Sequence, residues 1–230
     1  DGSVIRSRSV DLRTGETTYS EQYKTYATFE KDGVTGASAY GSLAGTVATT
    51  YENLTYVVTY TAGWNAGGAV KATTWQLDVL GDGSVIRSRS YDAVSKETSY
   101  SVQYKAAAAP VYAGDENAVL TELYSQAGAD LENLTYVETF NASGDMLSGT
   151  NFKGATWQYD VYGDGNEVRS KSFGITDTGM ISSDAGLITF SIQKKAAVME
   201  NSDVVLETFA NFTNYMTGIE GELLVTDINN

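Results

Sequence analysis

Oxygen-bearing side chains gather around a Gly-Asp-Gly segment in the second half of the chain, where they could bind a hard cation. Carboxylate and amide oxygens beside glycine suit Ca²⁺, but their spacing here departs from the EF-hand pattern. We favour the simpler interpretation that Asp-Gly makes a turn at this point. The sequence therefore predicts no metal site and no cofactor, with Ca²⁺ as the alternative at Asp160, Asp164, Asn166 and Glu167.

Catalytic chemistry is restricted because the chain contains no histidine and no cysteine. Ser-His-Asp triads, cysteine nucleophiles and metal sites built on thiolate or imidazole are excluded. The 29 acidic residues offer carboxylate pairs of the kind that hydrolyse glycosides, but nothing singles out two of them. We therefore expect a protein that is not an enzyme.

Four Asn-X-Ser/Thr sequons are candidates for N-linked glycosylation in a host that modifies secreted proteins. Asn53 and Asn133 occupy the same place in two copies of the segment Asn-Leu-Thr-Tyr-Val, and the other two sequons begin at Asn141 and Asn211. A glycan is thus one of the partners that the sequence suggests.

The charge balance limits the remaining partners. The formal net charge is −14 over 230 residues. Such an acidic chain disfavours nucleic acid and anionic membranes, which require clustered Lys and Arg. No apolar run reaches the length of a membrane span. Abundant Tyr, Thr, Ser and Gly with few basic residues are typical of a secreted or cell-surface β protein.

The elements that must position these residues are repeated along the chain. "YENLTYVVTY" at 51–60 matches "LENLTYVETF" at 131–140, and "DGSVIRSRS" occurs at both 1–9 and 82–90, with "DGNEVRSKS" at 164–172. Segments that match in the same order at a nearly constant offset predict a tandem repeat of about 80 residues. We divide the chain into a partial repeat, a complete repeat, a second and slightly longer complete repeat, and the first strand of an incomplete one: 1–50, 51–130, 131–218 and 219–230.

Each unit has a readable pattern of elements. Alternating β-branched and aromatic residues predict four strands, and a following apolar stripe predicts an amphipathic helix that Asp115 or Asn117 could cap in one copy. The predicted fold is therefore mostly β (α+β), with each repeat an antiparallel four-stranded meander plus one covering helix. The three stripes are Ala39, Tyr40, Leu43, Ala44, Val47; Val119, Leu120, Leu123, Tyr124, Ala127; and Val205, Leu206, Phe209, Ala210, Thr213.

The recurring Arg-Ser-Arg-Ser string predicts the register of one hairpin. A two-residue turn at Asp82-Gly83 would place Asp78 opposite Arg87, and Asp160 would face Arg169 in the next copy. We interpret these as exposed cross-strand ion pairs on a solvated face, and an anion or glycan contact by Arg87 and Arg89 is the alternative.

The chain also starts and stops out of phase with its own repeat. Residues 4–9 read as the second arm of a hairpin whose first arm is not in the sequence, and residues 219–230 read as the first strand of a further unit. We name as candidate assembly edges Val4, Ile5, Arg6, Arg8, Leu223, Leu224 and Val225. Open edges could pair with copies of the chain, with neighbouring repeats of a longer chain, or could be degenerate caps.

The functional expectation follows from the edges. The sequence predicts a structural protein of the cell surface or extracellular space that forms a filament by head-to-tail strand pairing. The alternative is an adhesin-type module that binds carbohydrate or a surface receptor through its loops.

Overall fold

The computed structural model describes residues 4–10, 17–31, 33–61, 63, 69–123, 129–163, 165 and 167–194. Across these ranges, ten strands form one antiparallel sheet in which neighbours along the chain are neighbours in the sheet, and a two-stranded hairpin of β3 (Glu30–Lys31) and β4 (Val34–Thr35) stands apart from it. The sheet strands, in spatial order, are β1 (Val4–Val10), β2 (Thr17–Lys24), β5 (Leu54–Tyr60), β6 (Val70–Asp78), β7 (Val85–Asp92), β8 (Thr98–Lys105), β9 (Leu134–Phe140), β10 (Phe152–Asp160), β11 (Glu167–Phe173) and β12 (Ile188–Lys194).

Three helices lie among the described residues: α1 (Gly36–Ala44), α2 (Glu116–Leu123) and α3 (Ser143–Ser148). The first two predicted helices are present, but α1 ends at Ala44, so Val47 of its stripe lies beyond the helix, and Tyr124 and Ala127 of the second stripe lie outside the described residues. The Asp115 carboxylate caps α2 by accepting from the backbone N–H of Asn117 at 3.0 Å. The helix predicted from the stripe at 205–213 and the strand predicted at 219–230 lie outside the described residues. The prediction of a mostly β, α+β fold is confirmed.

The two faces of the sheet differ because side chains alternate along each strand. One face, called here the inner face, buries the large aromatics of β5, β6, β9 and β10, including Trp75, Trp157 and Tyr136. The opposite face carries hydroxyl pairs across neighbouring strands, such as Thr74 with Ser90 at 3.0 Å. Apolar burial of this kind stabilises a fold by roughly 25 cal/mol per Å².

Helices α1 and α2 pack on sheet strands that follow them in the chain, whereas α3 packs on β8 and β9, which precede it. Helix α1 follows β4 and lies on β6 and β7, while α2 comes after β8 and lies on β10 and β11. Helix α3, which sequence reasoning missed, lies in the β9–β10 connection and inserts the buried Met146 into the same core as Trp75.

The predicted hairpin register is wrong by one residue. In the β6–β7 ladder Leu77 faces Arg87 and Asp78 faces Ile86. The loop closes with a backbone hydrogen bond of 2.9 Å from Val79 N–H to the Val85 carbonyl, which leaves residues 80–84 between them. The two-residue turn does not form because the carboxylate of an aspartate at the end of β6 binds N–H groups of the loop.

That aspartate is Asp78. Its carboxylate accepts the backbone N–H of Gly81 at 2.9 Å and that of Gly83 at 2.8 Å, and both glycines have positive φ, 78° and 74°, which glycine adopts without steric cost. Asp160 accepts from Gly163 and Gly165 in the same way.

The predicted ion pairs Asp78–Arg87 and Asp160–Arg169 are therefore wrong. The shift by one residue moves Arg87 and Arg169 from the solvated face to the inner face of the sheet, because side chains alternate between faces with a period of two.

Candidate assembly interface

Strand β1 forms one edge of the sheet within the described residues. It pairs with β2 on one side only. Two of its apolar side chains are open to solvent, with Val4 49% and Ile5 52% exposed. An edge strand with apolar side chains is a template for pairing with another chain. The other predicted edge residues, Leu223, Leu224 and Val225, lie outside the described residues.

Arg6 lies on the inner face of β1 and binds a buried carboxylate. Its Nε donates to Glu21 Oε1 at 2.8 Å, and Glu21 is fully buried on β2. The hydroxyls of Tyr23 and Tyr60 donate to Glu21 Oε2 at 2.6 and 3.3 Å. Burial acts to raise the pKa of Glu21, but the hydrogen bonds from Tyr23 and Arg6 and the charge of Arg6 outweigh it and leave the pKa below its ordinary value.

Arg87 holds the position of Arg6 in the next copy of the string, yet it binds a helix instead of a carboxylate. Its terminal nitrogen Nη1 donates to the carbonyls of Leu43 and Ala44, each at 2.9 Å. These are the last two residues of α1. The last carbonyls of a helix have no partner within it and carry the negative end of the helix dipole. A half-buried guanidinium at this place therefore caps α1.

Burial lowers the pKa of Arg87 below its ordinary value, but a guanidinium remains charged at neutral pH. The Nε of Arg87 is buried without a hydrogen-bond partner. The desolvation of this side chain is thus offset mainly by the two helix carbonyls.

Arg169 repeats the arrangement at the end of α2. Its Nη1 donates to the Leu123 carbonyl at 3.1 Å, and its Nε donates to Glu167 Oε1 at 2.7 Å. Lys171, two residues further along the strand, binds the Glu122 side chain of α2. Arg169 shows that one guanidinium can hold a carboxylate through Nε and cap a helix through Nη1.

Sequence reasoning placed these arginines on the wrong face and so missed their role. One signal could have indicated it: neither α1 nor α2 has a basic residue in its last turn. A helix whose own sequence leaves its C-terminal carbonyls uncompensated often receives a cation from elsewhere in the fold.

The predicted calcium ligands are only partly described, and those that are have other partners. Asp160 binds the N–H groups of its own loop, and Glu167 is buried against Arg169. Asp164 and Asn166 lie outside the described residues. Within the described part of the chain, no group of three or more His, Cys, Asp or Glu side chains could hold a metal ion.

Two of the candidate glycosylation sites, Asn53 and Asn133, pack against the loops whose N–H groups bind Asp78 and Asp160. A Cβ at Gly81 would lie 3.1 Å from Asn53 Nδ2, and one at Gly163 would lie 3.2 Å from Asn133 Nδ2. Asn141 is exposed directly after β9, and Asn211 lies outside the described residues. Glycosylation at these four residues stays a prediction.

A cavity of about 360 Å³ lies on the inner face near the ends of β9, β10 and β11. Its lining is mainly apolar, with Phe152, Phe173 and Met180 around Tyr136. The buried hydroxyl of Tyr136 has no hydrogen-bond partner, and burial together with the charge of Glu138 raises its pKa above the ordinary value.

No protein-family model matches the chain, and neither curated proteins nor solved structures give a significant match. Among the described helices, none is both long and apolar enough to cross a membrane.

Proposed function

We propose that this chain is a non-enzymatic structural protein of the cell surface or extracellular space. It acts as a subunit or segment of a filament, and its tandem units join head to tail by β-strand pairing. The observation that carries the proposal is that the edge strand β1 exposes Val4 and Ile5. The sheet that it belongs to is a series of antiparallel strands, each paired with the next.

The repeated local contacts support a tandem organisation. Asp78 and Asp160 organise equivalent loops, in successive copies of the Gly-Asp-Gly segment, with the same pair of glycine N–H contacts. Arg87 and Arg169, at equivalent positions of the string that follows, cap successive helices. Units that contact their neighbours through the same groups can be added in series, as in solenoid proteins.

The exposed edge supports growth by strand addition. Natural sheets usually protect edges with charge, proline or a covering element. β1 carries Arg6 and Arg8 but keeps two exposed apolar residues beside them. A head-to-tail contact of this kind is heterologous and extends into a fibre unless the rotation between subunits closes a ring.

Negative-stain electron microscopy and light scattering over a concentration series test this proposal. Wild-type protein is expected to form fibres, and deletion of residues 1–9 is expected to abolish them. Ile5→Lys is the finer variant, because it places a charge on the edge. Leu80→Lys is its control, since Leu80 is 59% exposed but lies in the β6–β7 loop. Fibres of wild-type form from the truncated chain would refute the proposal.

The alternative, an adhesin-type module that binds carbohydrate or a surface receptor, is favoured by exposed aromatic rings in connecting segments. Tyr26 and Tyr162 are both largely exposed, and exposed rings can stack on sugars. A monodisperse wild-type monomer that binds glycans on an array, with binding lost in Tyr162→Ala, would support the alternative over the filament.

A further inference from the structure

The cavity on the inner face has the size and the lining of a small-molecule site. Its volume of about 360 Å³ falls within the roughly 300–1,000 Å³ of ligand pockets in proteins. An apolar cavity of roughly 150 Å³ is already large enough to accept benzene. Apolar side chains form most of the lining, and among the lining residues that the structure describes none is charged. These properties suit an uncharged molecule that is largely apolar.

One wall of the cavity comes from a connection that is much longer than its counterpart in the other copy of the repeated sequence. The segment between β11 and β12 spans residues 174–187, whereas the segment between β7 and β8 spans residues 93–97. Four residues of the longer segment, from Met180 to Ser183, line the cavity. Contacts that recur in both copies are explained by their common sequence, but this wall is not. Connections that are held on a regular scaffold are also where binding residues are most often found.

Main-chain hydrogen bonds hold this wall against the sheet. Ile175 and Ile181 form an isolated antiparallel bridge, which folds the connection back on itself. The N–H of Phe152, at the start of β10, donates to the Gly179 carbonyl at 2.8 Å. The shape of the cavity is therefore set by the backbone, as in most small-molecule sites, which are largely pre-formed.

The cavity lies where two hydrophobic clusters of the inner face meet. Phe152 belongs to the cluster that contains Trp75, and Tyr136 belongs to the cluster that contains Trp157. Ile181 packs against both clusters. Junctions between packed units are common places for ligand pockets, and a molecule bound here would contact residues of both clusters.

The hydroxyl of Tyr136 supplies the polar group that such a site needs. Tyr136 lines the cavity and is fully buried, yet its hydroxyl makes no hydrogen bond. The carboxylate of Glu138 acts on this hydroxyl through its charge without reaching hydrogen-bond geometry. Burial and that charge raise the pKa of Tyr136 above its ordinary value, so the phenol is protonated at neutral pH and is able to donate. A buried donor without an acceptor is unfavourable, and an acceptor on a ligand would remove that cost.

We propose that this cavity binds an uncharged, mainly hydrocarbon molecule that carries one oxygen acceptor, such as a ketone or an ester. The acceptor receives the hydrogen bond of the Tyr136 hydroxyl, and the hydrocarbon part contacts the rings of Phe152 and Phe173. An anionic ligand is disfavoured because Glu138 places a negative charge near the phenol. The site lies within a single chain, so it goes beyond the filament proposal and does not depend on it.

The test compares two compounds of the same shape, benzophenone and the diphenylethene in which a methylene group replaces the carbonyl oxygen. Each is titrated into the full-length protein by isothermal titration calorimetry, and the ratio of the two affinities is the quantity measured. Wild-type protein is expected to bind benzophenone saturably at one site. Absence of saturable benzophenone binding would overturn the inference.

Tyr136→Phe removes only the hydroxyl, and the variant should fold because that hydroxyl makes no hydrogen bond. It is expected to lower the ratio of ketone to hydrocarbon affinity by about three- to tenfold, the factor for one neutral hydrogen bond. Tyr56→Phe is the matched control, since Tyr56 packs on Trp75 at 5.0 Å between ring centroids as Tyr136 packs on Trp157 at 4.8 Å. The control is expected to keep the wild-type ratio, and an unchanged ratio in Tyr136→Phe would overturn the inference.

Met180→Trp is a second variant that does not touch the core. Met180 lines the cavity and is 50% exposed, so a larger side chain there should obstruct entry while the protein stays folded. It is expected to weaken the binding of both compounds. Binding of both compounds that is as tight in Met180→Trp as in wild type would place them elsewhere on the protein and overturn the inference.

Discussion

Replacing Arg87 by methionine should destabilise the protein through the loss of a single helix cap. Methionine retains much of the aliphatic length of arginine, so packing against the sheet is largely preserved while the guanidinium is removed. The carbonyls of Leu43 and Ala44 each lose a 2.9 Å hydrogen bond from a charged donor.

The magnitude follows from two opposing terms. Two charge-assisted hydrogen bonds contribute about 3–6 kcal/mol in total at about 1.5–3 kcal/mol each. Removing Arg87 also relieves its unpartnered buried Nε, which returns about 1–3 kcal/mol. The central values of these ranges, about 4.5 and about 2 kcal/mol, leave a net loss of about 2.5 kcal/mol. At about 2–4 °C per kcal/mol for a domain of this size, Tm should fall by about 5–10 °C.

Differential scanning calorimetry and amide hydrogen exchange check both the size and the location of the effect. Exchange should accelerate in α1 but not in α2, because α2 keeps its own cap from Arg169. Arg89→Met is the matched control, since Arg89 lies two residues along the same strand and face. Two results would refute the capping role: free energies of unfolding that are the same for the two variants, or exchange that rises equally in both helices.

Three further outcomes follow from individual contacts. In urea unfolding, Trp157→Phe should lower the free energy of unfolding by about 1 kcal/mol more than Trp75→Phe. The reason is that Trp157 Nε1 donates to a buried backbone carbonyl at 2.9 Å, and that carbonyl would lose its partner. Equal losses in the two variants would contradict this. Because the folded pKa of Glu21 is lowered, its contribution to stability is present above the unfolded pKa of about 4.3 and is lost as the pH falls through the folded pKa. The stability gap between wild type and Glu21→Gln should therefore narrow from pH 7 to pH 3, and a constant gap would argue against an ionised Glu21. Gly81→Ala should lower the free energy of unfolding more than Gly83→Ala. Both variants place alanine at a positive φ, which costs about 1–2 kcal/mol, but only the Cβ at residue 81 would lie 3.1 Å from another side chain.

The strands and two helices could be predicted because their signals are local. Leu54, Tyr56 and Val58 alternate with polar or less buried neighbours along β5, and this period of two indicates a strand with one buried face without any knowledge of its partner. Asp115 likewise caps a helix that begins directly after it. The short helix α3 carried only Met146 and Leu147 as apolar residues, which is too few to produce a periodic pattern.

The sequence alone determined the alternating strands, the order of the meander and the recurrence of one arginine in each copy of the string, because these depend on side-chain type and on residues close along the chain. Only the tertiary structure decided which face the arginine occupies. That choice depends on a register, and the register was set by the Asp78 carboxylate binding two loop N–H groups and by the carbonyls of a helix that is distant along the chain. A shift of one residue changes nothing in the pattern of a single strand, but it turns Arg87 from an exposed partner of Asp78 into the half-buried cap of α1.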